Sequence, residues 1–71
     1  MSPLNAKALI AILEKHGFVV TRQRGSHLIF TQETTGIMVP VPVHGKNKPL
    51  FIGTFMAIVK QSKIPKEEFS K

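Results

Sequence analysis

The chain has 71 residues, 42% of them hydrophobic, a formal charge of +6 and no cysteine. That length holds one small core, so residues 1–71 are expected to form a single domain, and without cysteine it can rely on neither disulfides nor thiolate zinc but only on apolar packing. No apolar run approaches a membrane span and the first residues lack a signal-peptide pattern, which predicts a cytoplasmic protein with no membrane partner.

Ser2-Pro3 reads as a helix start, Ser2 as the cap and Pro3 in the first helical position. Ala6, Leu9, Ile10 and Leu13 then recur at helical spacing, and Gly17 suits the left-handed residue beyond the helix end. His16, in the last turn, is expected to interact with the helix dipole and carries no chemistry.

Phe18 to Gln23 is rich in β-branched and aromatic residues and reads as a strand, with Arg24-Gly25 as the turn and Ser26 to Gln32 returning. Period-two alternation sets Leu28 and Phe30 on one face and His27, Ile29 and Thr31 on the other. The more apolar pair should face the helices, leaving His27 on the open face. Glu33-Thr34-Thr35-Gly36 is a second turn, and Ile37 to Val43 a third strand. Alternate residues of a strand direct their N–H groups to the same edge. Pro40 and Pro42 therefore remove donors from one side only, while Val39, Val41 and Val43 keep theirs for the middle strand, which makes this strand a blunted edge.

His44-Gly45-Lys46-Asn47-Lys48-Pro49 is a basic connector. A second helix is predicted from Gly53 to Ser62, with Phe55, Ile58 and Val59 at core spacing and Lys60 and Lys63 at its end. Ile64 to Phe69 reads as a terminal turn with Phe69 tucked back. Phe51 and Met56 are expected to complete the core, with base stacking or protein docking as competing roles. The predicted class is α+β in the order α-β-β-β-α: a three-stranded antiparallel sheet with two helices on one face.

Between Lys15 and Lys66 the only acidic residue is Glu33, against Lys15, Arg22, Arg24, Lys46, Lys48, Lys60, Lys63 and Lys66. Such asymmetry favours a polyanionic partner. Within it, Arg22-Gln23-Arg24-Gly25-Ser26-His27 gathers two guanidiniums, whose forks match phosphate oxygens, with a hydroxyl and an imidazole able to take or give a proton near neutral pH. His16, His27 and His44 are isolated and no paired carboxylates accompany them, which makes a metal site a poor reading. The five glycines are scattered singly, which leaves no phosphate-loop or dinucleotide fingerprint and no expected cofactor. Ser26 and His27 are neighbours on a strand and point to opposite faces, which argues against a nucleophilic dyad. RNA, in contrast, carries its own nucleophile. A 2′-hydroxyl can attack the adjacent phosphate if a base removes its proton and cations stabilise the pentavalent charge. DNA lacks that hydroxyl.

Leu13-Glu14-Lys15-His16-Gly17-Phe18 leads to Arg22-Gln23-Arg24-Gly25-Ser26-His27, followed by Val39-Pro40-Val41-Pro42-Val43-His44, Gly53-Thr54, Ile58-Val59-Lys60-Gln61 and Glu67-Glu68-Phe69. This series, nearly the whole chain in order, resembles the HicA toxin family, the ribonuclease half of HicA–HicB toxin–antitoxin pairs. The Gly-Ser-His step after a basic pair is its most specific element. The resemblance implies a double-stranded-RNA-binding-domain-like fold, metal-independent cleavage of mRNA, and neutralisation by a HicB-like antitoxin that occludes the active surface. It also implies His27 as the catalytic residue. The family usually carries basic residues on either side of Gly-Thr, whereas Phe51-Ile52 and Phe55-Met56 stand there in this chain. That departure points away from a phosphate grip at the second helix and toward an apolar contact with the antitoxin.

The expectation is an endoribonuclease toxin, monomeric when free, with His27 as general acid/base. Arg22, Arg24, Ser26, Lys46 and Lys48 are expected to hold RNA, with His44 as a secondary acid/base or a loop-ordering residue. A non-catalytic RNA-binding module and a small protein whose basic face meets an acidic partner are the competing readings.

Overall fold

The first helix is set by a side chain rather than by the chain start. In a computed structural model describing residues 2–45 and 47–70, α1 (Ala6–Lys15) is capped by Asn5, whose Oδ1 accepts the Ala8 N–H at 2.8 Å. The expected start at Ser2-Pro3 is thus corrected. Leu4 and Asn5 are extended against the connector before the second helix: Asn5 bridges Pro49, and the Leu50 N–H donates to the Leu4 carbonyl at 3.0 Å. Backbone groups committed to that bridge cannot enter a helix, and Asn caps as well as Ser. α1 buries Ala6, Leu9 and Leu13. Its end is fixed by the Gln32 side-chain amide, which donates to the His16 carbonyl at 2.7 Å. His16 Nε2 lies 3.5 Å from the Glu68 carboxylate, within ion-pair reach but without hydrogen-bond geometry.

Three antiparallel strands follow, β1 (Phe18–Arg24), β2 (His27–Gln32) and β3 (Ile37–Pro42), with β2 in the middle. The first hairpin turns at Gly25-Ser26, one residue later than expected, because Arg24 pairs directly with His27. Gly25, at φ +59°, occupies the first central position, where a type II′ turn needs a positive φ. β3 behaves as its prolines dictate. The Val43 N–H donates to the Ser26 carbonyl at 2.8 Å, so by alternation Val39 and Val41 also direct their N–H groups to β2. The outer edge is left with the N–H of Met38 between the Pro40 and Pro42 positions and the second turn.

α2 (Ile52–Ser62) packs mainly on β3 and buries Phe55, Ile58, Val59 and Ser62. It stops where Lys63 turns left-handed at φ 63°. The buried Ser62 hydroxyl donates to the Val59 carbonyl at 2.8 Å and accepts the Ile64 N–H at 3.2 Å, which steers Ile64 back into the core. A 3-10 turn, Lys66–Phe69, then tucks Phe69 edge-on against Phe55, with ring centroids 6.2 Å apart. Phe18, Phe30, Phe55 and Phe69 are the largest buried side chains, each contributing roughly 1.5–3 kcal/mol by burial. Phe51 and Met56 do not complete this core: Phe51 is 87% exposed and Met56 40%. Among the described residues no helix is long and apolar enough to cross a membrane.

Asn5→Ala removes the acceptor for one orphan helix donor and should destabilise the fold by about 0.5–2 kcal/mol, whereas Ser2→Ala should stay within about 0.5 kcal/mol of the parent. Parallel denaturant melts check the pair; equal stability of the two variants would return the cap to Ser2.

Candidate functional site

Phe18, Val20, Arg22 and Arg24 share one parity along β1. A regular strand that buried Phe18 would therefore turn both arginines to the helix side. The ladder avoids this. Val20 pairs with Phe30 and Arg22 with Ile29, so Thr21 is an extra residue opposite none, a β-bulge. Bulges reset alternation and re-aim the side chains beyond them. Before the bulge Phe18 is buried; after it Arg22 and Arg24 lie on the open face, in line with Ile29 and His27. The Thr21 hydroxyl marks the spot, 2.9 Å from the Thr31 hydroxyl and donating to the Ile29 carbonyl at 3.3 Å.

The open face is three cross-strand rows. At one end Val19, Thr31 and Met38 align, in the middle Arg22, Ile29 and Pro40, and at the hairpin end Arg24, His27 and Pro42. The face is thus apolar at one end, with Val19 and Met38 each 49% exposed, and basic at the other. No carboxylate of the described residues lies within ion-pair distance of Arg22 or Arg24. Their charge is therefore free to act on an incoming anion. His27 is exposed, as expected, and sits between a guanidinium on β1 and a proline on β3.

The other expected residues spread outward from that row. Ser26 is in the hairpin turn, exposed, its carbonyl tied to Val43. His44 and Lys48 are exposed on the connector, where the Lys48 N–H closes a turn on the Gly45 carbonyl at 2.9 Å. Both line a cavity of about 340 Å³ whose wall also includes Pro42, the cross-strand neighbour of His27. Lys46 lies outside the described residues. Among the described residues no group of three or more histidine or carboxylate side chains is placed to hold a metal ion. Sequence reasoning missed the bulge, although the signal was present: two arginines on the parity of a buried phenylalanine.

A family model described as the HicA toxin of bacterial toxin–antitoxin systems matches residues 6–64, from the first residue of α1 to just past the end of α2. No curated protein matches the chain.

Deleting Thr21 tests what the bulge does. Without Thr21 the pairs Val20–Phe30 and Arg22–Ile29 become neighbours in a regular ladder, so Phe18 should stay buried and Arg22 and Arg24 should stay on the open face. The expected cost is therefore well below the roughly 3–5 kcal/mol of removing a buried phenylalanine. Thr21→Ala keeps the residue count and should cost only tenths of a kcal/mol, as exposed substitutions do. Denaturant melts of both variants check this, and a deletion variant destabilised by the full phenylalanine loss would show that the ladder cannot close without Thr21.

Proposed function

The chain belongs to the HicA toxin family of toxin–antitoxin systems, and from that premise we propose that it is an endoribonuclease that cleaves mRNA with His27 as general acid/base. The observation that carries the proposal is the bulge-dependent placement of Arg22 and Arg24 beside His27 on one exposed face. Guanidiniums beside an imidazole are what an attack by the RNA 2′-hydroxyl needs: charge stabilisation at phosphorus and a proton acceptor at the nucleophile.

In this reaction the His27 imidazole takes the 2′-hydroxyl proton as the O2′–P bond forms. Arg22 and Arg24 stabilise the negative charge gathering on the nonbridging oxygens. The P–O5′ bond then breaks, water protonates the leaving 5′ oxygen, and the imidazolium returns its proton to solvent. The products are a 2′,3′-cyclic phosphate and a 5′-hydroxyl. Every step is supplied by the substrate, solvent and side chains of this chain, so the reaction runs without a metal. Ser26, Lys46 and Lys48 extend the grip along the strand, and His44 orders the connector or assists proton transfer.

A HicB-like antitoxin would silence the toxin by covering the open face. Val19, Ile29 and Met38 offer it apolar area beside the basic row. Addition of a strand to β3 is disfavoured, because Pro40 and Pro42 leave that edge short of donors.

His27→Ala should cut RNA about 10²- to 10⁴-fold more slowly, the usual worth of a positioned acid or base. Its exposed position predicts unchanged thermal stability, and RNA and antitoxin binding should largely survive. Purified parent and variant, assayed on one RNA with a chelator and scored for cyclic phosphate ends, decide the matter. Equal cleavage by the variant removes His27 from the chemistry, and binding without cleavage by the parent leaves a non-catalytic RNA-binding module.

Arg22→Ala and Lys48→Ala should each reduce the slope of log affinity against log salt by about 0.7–0.9, one phosphate contact apiece. Fluorescence titrations over a salt series measure it. An unaltered slope would take the substituted residue off the phosphate path.

A further inference from the structure

The most exposed large hydrophobic side chain in the described structure is Phe51, at 87%. A lone exposed apolar residue is ordinary, but Phe51 is held in a built setting. It is the residue before the first turn of α2, and its carbonyl accepts the Phe55 N–H at 2.9 Å. The preceding Leu50 packs against the core and is pinned by its N–H to the Leu4 carbonyl at 3.0 Å. The phenyl ring thus projects from a backbone fixed on both sides.

It projects beside a concavity. The cavity of about 340 Å³ at the end of β3 has Pro42, Pro49, Leu50 and Phe51 as apolar lining residues and His44 and Lys48 as basic ones. Its volume falls in the range of roughly 300–1,000 Å³ typical of small-molecule sites. Among the described residues no acidic one lines it. The wall at Pro42 is shared with the row of His27, to which Pro42 is paired across the strands.

We propose that this cavity is a nucleobase subsite, in which Phe51 stacks on one base of a single-stranded RNA while Lys48 contacts an adjoining phosphate. The proposal deepens the ribonuclease reading and rests on it for the identity of the ligand. A flat apolar face beside a cation, with no carboxylate, suits a nucleotide: the base has a π-face of its own and the phosphate needs the ammonium. A base inside a duplex has both faces covered by its neighbours, so only an unstacked base can use the ring. Seating a base here leads the strand past Pro42 toward His27. The place of Phe51 outside the core then has an explanation: the ring is kept for the strand.

The chain contains no tryptophan, so Phe51→Trp supplies a unique fluorescent reporter in the full-length protein. It is titrated with a short single-stranded 2′-O-methyl oligonucleotide, which cannot be cut, with an abasic strand of the same phosphate number, and with a duplex. Indole emission should be quenched by the base-bearing single strand and left unchanged by the other two. Phe51→Ala should weaken binding of the base-bearing strand by roughly 5- to 150-fold, as loss of one base–aromatic stack does. Binding of the abasic strand should be unchanged, and Phe51→Tyr should restore the loss. Equal quenching by abasic and base-bearing strands overturns the proposal, as does an alanine variant that binds both like the parent. An alanine variant that loses antitoxin binding but keeps RNA binding assigns the ring to protein docking instead, and equally overturns it. Because the probe carries no free 2′-hydroxyl, failure of the parent to cleave RNA would count against the ribonuclease reading and leave the stacking result standing.

Discussion

One unpaired backbone position reconciles the two demands made on β1. Its start must bury Phe18 under the helices, and its end must hold two guanidiniums in water beside His27. Side chains of a strand alternate with a period of two, so residues of like parity cannot meet both demands in a regular ladder. The extra residue at Thr21 changes the parity once, between Val20 and Arg22. The guanidiniums at the basic end of the open face follow from that, since Arg22 and Arg24 reach it only through the bulge.

The same economy governs the division of the sheet into two faces. Phe30, Val39 and Val41 are buried toward the helices, and their cross-strand alternation leaves Thr31, Met38 and Pro40 facing outward. Unpartnered arginines on such a face cost the fold little, because exposed charges keep their hydration. Their charge is then available to a polyanion instead of being spent on an internal carboxylate. The gradient from an apolar row at Val19 to a basic row at Arg24 gives one surface two chemistries: one suited to a protein that must bury area, the other to phosphate.

The far end of the molecule is held by long-range backbone contacts rather than by local propensity. The pairing of Leu4 and Asn5 with Pro49 and Leu50 displaces the start of α1 to Ala6 and anchors the residues leading into α2. A connector that would otherwise be a free basic loop becomes one wall of a cavity adjoining the His27 row. Phe69 packs edge-on against Phe55 in the first turn of α2, so the start of that helix is held on two sides by residues distant in sequence.

The sequence by itself determined the order α-β-β-β-α, the core positions Leu9, Leu13, Phe30, Phe55, Ile58 and Phe69, the open-face placement of His27, and the blunted edge at Pro40 and Pro42. Periodicity, turn residues and missing donors are local properties that each segment carries with it. The residues that carry the family resemblance were equally legible. Only the tertiary structure decided the rest. The register between β1 and β2 is a relation between two strands, so the bulge at Thr21 and the facing of Arg22 and Arg24 emerge when Phe18 competes for the core. The cap at Asn5 depends on a bridge to Pro49, a residue distant in sequence. The exposure of Phe51 depends on where the Leu4–Leu50 hydrogen bond and the buried Phe55 hold the start of α2. Each of these is settled by which groups win a shared volume or a shared hydrogen bond, and that contest exists only after the chain has come together.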